Sequence, residues 1–223
     1  MQCCCMRVVG KEGRGLSISR GIRPNGDMTK LKSICVYCGS NAGTKPEYVA
    51  AAKAMGKAIA ARGITLIYGG GKVGLMGAIA DAALAAGGKV VGIIPEFLAV
   101  KEVAHTGLTE LVVVDSMHTR KAEMERLSDG FIAMPGGIGT MEELFEIWTW
   151  SQLGQHKKPC GLLDAAGYYA DLNAFLDRMA TDGFVNAEHR AMLHCSEDTE
   201  QLLDAFAAYE APAADIRIKV MQT

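Results

Sequence analysis

The sequence lacks a long uninterrupted apolar run. Hydrophobic residues make up 49% of its 223 residues, yet no segment reaches the roughly 18 residues that a membrane helix requires. It also lacks an excess of charge of one sign, because its formal net charge is −2 at pH 7. A chain so close to neutrality has no global electrostatic attraction for nucleic acid. We therefore expect neither a membrane nor nucleic acid among its partners.

Several catalytic and metal-binding patterns are absent as well. There is no G-x-x-x-x-G-K-[ST], no G-x-S-x-G and no H-E-x-x-H, which argues against a P-loop hydrolase, a serine hydrolase and a zinc peptidase. Cys35 and Cys38 form a C-x-x-C pair in a strand-like run, where positions i and i+3 point to opposite faces. We expect no metal site. The odd total of seven cysteines, with no secretory signal ahead of them, favours reduced thiols and a cytoplasmic protein.

The first 32 residues differ from the rest of the chain. They hold seven Lys and Arg residues against two Asp and Glu residues, and they show no apolar periodicity. We interpret residues 1–30 as a disordered N-terminal extension; an Arg-rich targeting peptide is the alternative. Residues 31–212 are expected to form a single domain, and residues 213–223 a C-terminal tail.

The predicted domain alternates between short apolar strands and longer helical stretches. Strands are predicted in SICVYCGS, ITLIYGGG, KVVGIIP, LTELVVVD, GFIAMPGG and KPCGLL. Helices are expected over 46–62, 74–87 and 117–128. Another is expected to start near Thr140, and two or three more are expected at the end of the chain. Near-continuous apolar strands are typical of a parallel sheet buried on both faces. The alternation predicts an α/β fold, a Rossmann-like doubly wound parallel sheet with helices on both faces.

Three of the predicted strands end in glycine, at 39–40, 69–71 and 136–139. Because ligands of doubly wound sheets bind beyond the carboxyl ends of the strands, these loops are expected to converge on one crevice. The segment PGGIGT would present backbone amides at a helix N-terminus, which is a favourable place for a phosphate. A tight turn without a ligand would explain one such loop, but several meeting at one edge favour a phosphorylated ligand.

A second glycine pattern supports a different interpretation. Gly69, Gly71 and Gly74 satisfy G-x-G-x-x-G after a strand and before a helix, and Glu96 follows near the end of the next strand. This is the pattern of a dinucleotide-binding protein. Its position in the second strand unit, and the competing loop at 136–139, count against it. A nucleotide or cofactor carrier without catalysis is a further alternative.

Two charged residues are expected at the crevice. Met117, Arg120, Met124 and Leu127 recur at helical spacing, so Arg120 shares an apolar helix face and could either extend to the surface or reach a phosphate. Thr140 and Glu143 have the spacing of a capping box, which would give both residues a structural role. A carboxylate near a bound phosphate could equally stabilise positive charge that develops on a ribose.

These motifs together resemble a known family. PGGIGTMEE, with SMHTRKAEM and GGGKVGLMG upstream of it, is similar to the Lonely Guy proteins, the cytokinin-activating phosphoribohydrolases. The resemblance runs from about Ser33 to Glu210 and includes CVYCGSNAG and WTWSQLGQHKKPCGLLDAAGYY. Members have often been labelled lysine decarboxylases, but no lysine of this chain has an evident pyridoxal phosphate context.

The resemblance implies a homodimer that hydrolyses the N-glycosidic bond of a nucleoside 5′-monophosphate, either a cytokinin riboside 5′-monophosphate or AMP. The products would be the free base and ribose 5-phosphate, and neither a cofactor nor a metal is implied. Arg120 and Glu143 match the catalytic pair, and solvent or Glu102 would protonate the leaving base. With the glycine loops, the candidate substrate-binding residues are Gly39, Ser40, Gly71, Glu102, Met117, Lys121, Gly136, Gly137, Gly139 and Thr140. The match at Glu102 is looser than the others.

Overall fold

The computed structural model of the chain describes residues 5–8, 31–99 and 104–212. The candidate residue Glu102 and the predicted tail at 213–223 therefore lie outside the described residues. No helix within these ranges is long and apolar enough to cross a membrane.

The centre of the fold is one sheet of eight strands in the order β1-β5-β4-β3-β2-β6-β7-β8, and every neighbouring pair runs parallel. The order reverses direction between β2 and β6, so the topological switch point lies there. The strands span Cys5–Val8 (β1), Ser33–Tyr37 (β2), Thr65–Tyr68 (β3), Val90–Pro95 (β4), Glu110–Val114 (β5), Phe131–Ala133 (β6), Cys160–Leu163 (β7) and Leu193–Ser196 (β8).

Helices cover both faces of this sheet, which confirms the predicted doubly wound fold. They span Pro46–Ala61 (α1), Gly74–Ala85 (α2), Glu96–Leu98 (α3), Met117–Leu127 (α4), Ile138–Gln152 (α5), Ala170–Thr181 (α6), Ala187–Ala191 (α7) and Thr199–Ala207 (α8). One apolar core lies under α1, α2 and α8, and a second lies under α4, α5 and α6. Cys38 belongs to the first core and Cys35 to the second, so the two side chains point to opposite faces of the sheet, as their spacing predicted.

All six predicted strands are present, but two further strands were missed. β8 is a short edge strand, LHCS, that contains a histidine and a serine and so lacks a continuous apolar signal. β1 lies in the segment expected to be disordered, and it pairs with β5 along Cys5–Val8. The prediction of a disordered extension is therefore wrong for these four residues, whose backbone groups join the open edge of β5. Residues 9–30 lie outside the described ranges.

Helices α1 and α2 cross closely at Gly56. A Cβ atom built on this residue would lie 2.4 Å from the carbonyl oxygen of Ile79 and 3.0 Å from the amide nitrogen of Ala83. Both atoms belong to the backbone of α2, which cannot move aside without disturbing the helix. Glycine therefore sets the distance between the two helices that cover the first face of the sheet.

We predict that Gly56→Ala destabilises the protein by about 2 kcal/mol, because overpacking a close contact typically costs about 1–3 kcal/mol. The direction of the change in the free energy of unfolding is informative, since the same substitution in an exposed helix interior would stabilise a protein by roughly 1 kcal/mol. Urea unfolding at equilibrium measures the effect. Lys57→Ala, at the exposed neighbouring position, should change stability by less than about 0.5 kcal/mol. A Gly56→Ala protein as stable as the wild type would contradict the close crossing.

Candidate active site at the carboxyl edge of the sheet

The loops that follow β2 and β6 meet at the switch point, as predicted. The Gly39 amide donates a hydrogen bond to the carbonyl oxygen of Pro135 at 3.0 Å. A Cβ atom on Gly39 would lie 3.4 Å from Cα of Gly136, and one on Gly136 would lie 2.9 Å from the Gly39 nitrogen. The two backbones touch here because neither residue carries a side chain.

The loop that follows β3 lies at the same edge of the sheet, but amides at the start of the helix after it already have hydrogen-bond partners. The amides of Leu75 and Met76, in the first turn of α2, donate to the carbonyl oxygen of Gly39 at 3.0 and 3.3 Å. Gly74 has φ +60°, and a Cβ atom there would lie 2.3 Å from the Ser40 carbonyl carbon. Because these amides bond to backbone, the geometry of the G-x-G-x-x-G pattern argues against a pyrophosphate at the start of α2.

The N-terminus of α5 is different, and it corrects one prediction. The helix begins at Ile138 with Gly137 as its N-cap residue, and no side chain caps it. Thr140 is therefore the third residue of the helix, and the expected capping box of Thr140 and Glu143 does not form. The pattern has the right spacing, but the helix starts three residues earlier than the pattern requires.

The start of α5 presents amides to an open space. Met141 makes the first intrahelical bond, to the carbonyl oxygen of Gly137, so the amides of the three residues before it have no partner within the helix. A Cβ atom built on Gly137 or on Gly139 would meet nothing within 4 Å. The buried Thr140 packs its Oγ1 against Gly136. This helix end can accept an anion.

Arg120 lies at the N-terminal end of α4 and is buried, with 9% of its surface exposed. Its Nη2 donates to the carbonyl oxygen of Gly69 at 3.3 Å, and its Nη1 contacts Sδ of Met117 at 3.8 Å. A Cβ atom on Gly69 would lie 2.0 Å from Nη2, so only glycine admits the guanidinium. Its Nε has no hydrogen-bond partner among the described residues. The alternative in which Arg120 extends to the surface is therefore wrong.

Glu143 faces Arg120 from the second turn of α5. Its Oε1 lies 3.9 Å from Nη2 of Arg120, and its side chain is 13% exposed. Burial raises the pKa of Glu143 from 4.5 to about 7, an effect that Arg120 and Lys121 oppose and that Glu142 and Glu146 reinforce. A buried carboxylate beside an incompletely paired arginine is typical of a functional site.

The remaining candidates occupy varied surroundings. Lys121 forms ion pairs with Glu142 at 2.6 Å and Glu146 at 2.9 Å, so it links α4 to α5. The carbonyl oxygen of Gly71 accepts a hydrogen bond from the Tyr68 hydroxyl, and Gly71 forms a β-bridge with Ala104. Ser40 and Met117 are exposed at the edge of the sheet.

A cavity of about 290 Å³ opens beside the glycine loops. Residues that follow β2, β3, β6 and β7 line it, and they include Gly39, Tyr48, Leu75, Gly136 and Tyr168. Among the residues that the structure describes, its lining contains neither Arg120 nor Glu143. The two tyrosines were not predicted, because no motif marks an aromatic residue that reaches a loop 32 residues away along the chain.

The sequence of this chain is similar to those of known proteins. Residues 76–206 match the family model described as "Possible lysine decarboxylase". Over 182 residues the chain is 50% identical to the cytokinin riboside 5′-monophosphate phosphoribohydrolase of Rhodococcoides fascians, covering 81% of this chain and 90% of that protein. A cytokinin riboside 5′-monophosphate phosphoribohydrolase of Arabidopsis thaliana is 42% identical over 193 residues, with coverage of 86% of this chain and 89% of that protein. The chain belongs to the Lonely Guy family.

Solved structures with lower sequence identity to this chain share its fold. A Moco carrier protein from Chlamydomonas reinhardtii superposes with a TM-score of 0.60 at 22% identity, over 79% of this chain and 95% of its own. A molybdenum cofactor binding protein from Rippkaea orientalis gives 0.61 at 22% identity, over 80% and 97%. At this identity the likeness concerns the fold alone. Within the described ranges, no group of three or more His, Cys, Asp or Glu residues could hold a metal ion.

The raised pKa of Glu143 predicts a dependence of stability on pH. Between pH 4.5 and about 7 the folded protein keeps a proton that the unfolded chain loses, so stability falls as pH rises through this window. We predict that Glu143→Gln removes this fall. Since one pKa unit corresponds to about 1.4 kcal/mol, the variant should gain roughly 2–3 kcal/mol relative to the wild type between pH 5 and pH 8.

Urea unfolding at several pH values measures this gain, and Glu197→Gln, at an exposed position, is the matched control that should follow the wild type. If the stabilities of the Glu143→Gln protein and the wild type differ by the same amount at pH 5 and pH 8, the carboxyl group ionises normally and the description of its surroundings is wrong.

Proposed function

We propose that this chain hydrolyses the N-glycosidic bond of a nucleoside 5′-monophosphate and releases the free base and ribose 5-phosphate. Cytokinin riboside 5′-monophosphates and AMP are the substrates we favour, since the curated relatives are named cytokinin riboside 5′-monophosphate phosphoribohydrolases. The observation that carries the proposal is the buried pair of Arg120 and Glu143 beside the uncapped N-terminus of α5.

The 5′-phosphate binds at the start of α5 in this proposal. The amides of the segment 137–140 donate to its oxygens, and the positive end of the helix dipole favours its charge. Gly39 and Gly136 let the backbone approach closely. Arg120 adds a fixed positive charge, and its unpaired Nε is available to a ligand oxygen.

Glu143 then acts on the ribose. Cleavage of the bond between C1′ and the base nitrogen develops positive charge on the ring, and a carboxylate in a buried site stabilises such charge strongly. A water molecule adds its oxygen to C1′, its proton passes to Glu143, and the departing base nitrogen takes a proton from solvent or from Glu102. A carboxyl group with a pKa of about 7 is well matched to accepting a proton near neutral pH.

The alternatives use less of the site. A nucleotide or cofactor carrier needs the free amides of α5 but has no use for a buried carboxylate 3.9 Å from Arg120. A dinucleotide-binding protein needs free amides at the start of α2, and those of Leu75 and Met76 donate to Gly39. Neither alternative accounts for the burial of both Arg120 and Glu143.

We also propose that the chain forms a homodimer in the cytoplasm. Four exposed apolar side chains follow the carboxyl ends of β3, β4, β5 and β6, and burying them between two copies would remove apolar surface from water. They are Val73 (42% exposed), Phe97 (52%), Met117 (36%) and Ile138 (91%). Cys35, Cys38, Cys160 and Cys195 are free thiols, which suits a reducing compartment.

We predict that AMP is a far better substrate than adenosine. Each charge-assisted hydrogen bond to the phosphate contributes roughly 1.5–3 kcal/mol, so the loss of two should lower kcat/KM by about 100-fold or more, at tenfold per 1.4 kcal/mol. Arg120→Ala should lower the ratio of kcat/KM for AMP to kcat/KM for adenosine. The measurement is release of adenine from the matched pair, compared as kcat/KM.

Arg178→Ala, at an exposed position on α6, is the matched control and should leave the ratio of AMP to adenosine unchanged. Equal kcat/KM values for AMP and adenosine in the wild type would show that the glycine loops do not bind the phosphate. Binding of AMP without release of adenine would favour the carrier.

A further inference from the structure

The loop between β6 and α5 has three consecutive carbonyl groups, and protein donors bond to all of them. The Tyr169 hydroxyl donates to the carbonyl oxygen of Met134 at 2.6 Å. The Gly39 amide donates to that of Pro135 at 3.0 Å. The Tyr168 hydroxyl donates to that of Gly136 at 2.5 Å. Two adjacent tyrosines and one glycine amide therefore fix the orientation of the whole loop.

The orientation of these carbonyls decides what the loop offers to an anion. In a planar trans peptide the C=O and N–H groups point in opposite directions. The carbonyl of Gly136 shares its peptide with the amide of Gly137, which is the N-cap residue of α5. This peptide lies between two glycines, so it could rotate at low steric cost. Rotation would turn a carbonyl oxygen toward the anion, where it would repel the charge.

The position of Tyr168 is held from several sides although the residue is 42% exposed. Its ring makes edge-to-face contacts with Tyr48 and Tyr169, at centroid distances of 5.5 and 4.9 Å. The turn before it contains Ala166 at φ 53°, which is the positive-φ residue other than glycine among the described residues. Such strain persists where the surrounding structure enforces it, and it recurs at functional segments.

We propose that Tyr168 is a positioning residue for the phosphate. By bonding to the carbonyl oxygen of Gly136, its hydroxyl holds the amide of Gly137 toward the 5′-phosphate of the substrate. The hydroxyl acts through the backbone and has no part in breaking the glycosidic bond, which belongs to Arg120 and Glu143. This proposal rests on the proposed function, because it takes the phosphate to bind at the start of α5.

The test is Tyr168→Phe, which removes the hydroxyl and keeps the ring. We expect KM for AMP to rise about tenfold while kcat stays within about twofold of the wild type. Ribose 5-phosphate, used as a competitive inhibitor, should lose affinity by the same factor, and adenine should inhibit as it does in the wild type. A residue that merely supports folding would change KM and kcat for AMP together with the inhibition constants of ribose 5-phosphate and adenine.

Tyr209→Phe is the matched control. The Tyr209 hydroxyl is buried without a hydrogen-bond partner among the described residues, and the residue follows α8, away from the glycine loops. It should leave every kinetic constant unchanged. Melting temperatures establish that both variants are folded under the assay conditions.

Gly137→Pro supplies a second test, since it deletes the amide that Tyr168 is proposed to orient. Its φ of −94° is negative and needs a rotation of roughly 15–30° to reach the range of proline, and a Cβ atom there meets nothing within 4 Å. In this background, Tyr168→Phe should change KM for AMP by less than twofold. A tenfold effect that persists would mean that the hydroxyl acts by another route, and the proposal would fail.

The two proposals fail in different ways. If Tyr168→Phe leaves KM for AMP unchanged while the wild type releases adenine, the role of Tyr168 is wrong and the proposed function stands. If the wild type releases no base, the proposed function fails, and equilibrium binding of ribose 5-phosphate to the wild type and the variant still tests Tyr168. Equal affinities in that experiment would reject the role of Tyr168 as well.

Discussion

The site depends on one constraint, which is the close approach of backbone segments at the carboxyl ends of β2, β3 and β6. Gly39 touches Gly136, Gly74 lies against Ser40, and Gly69 admits the guanidinium of Arg120. A side chain at Gly74 would meet backbone atoms, and one at Gly69 would displace the charge that faces Glu143. The parallel sheet brings the strand ends together, and the glycines allow the loops to be shared between neighbouring units.

The N-termini of α2 and α5 lie at the same edge of the sheet but differ in whether their amides have hydrogen-bond partners. The start of α2 is closed, because its amides bond to the Gly39 carbonyl. The start of α5 is open, because its N-cap residue is a glycine without a capping side chain. The loop before α5 turns its carbonyls toward protein donors, so the charge presented at the opening is positive. This asymmetry supports the proposal that a negative ligand group binds beside Arg120 and that Glu143 acts on the part of the ligand beyond it.

The sequence predicts the fold and most of the edge, because both depend on signals that are local. Apolar strands such as SICVY and glycines at strand ends are visible without any tertiary information. The N-cap residue of α5 was predicted wrongly, since the spacing of Thr140 and Glu143 satisfies a capping box while the N-cap residue is Gly137. Tyr168 was missed because its contact with Gly136 joins positions 32 residues apart, and because the turn before it contains Ala166 at a positive φ that alanine rarely adopts.

The most direct test of the central claim compares the wild type with Glu143→Gln on AMP and on isopentenyladenosine 5′-monophosphate, with free base and ribose 5-phosphate both quantified. The account predicts that the wild type releases base and ribose 5-phosphate in equal amounts from at least one of the two nucleotides. It predicts that Glu143→Gln still binds that nucleotide but releases no base, because the amides of α5 remain and the carboxylate is gone. Turnover by Glu143→Gln at the rate of the wild type would contradict the account.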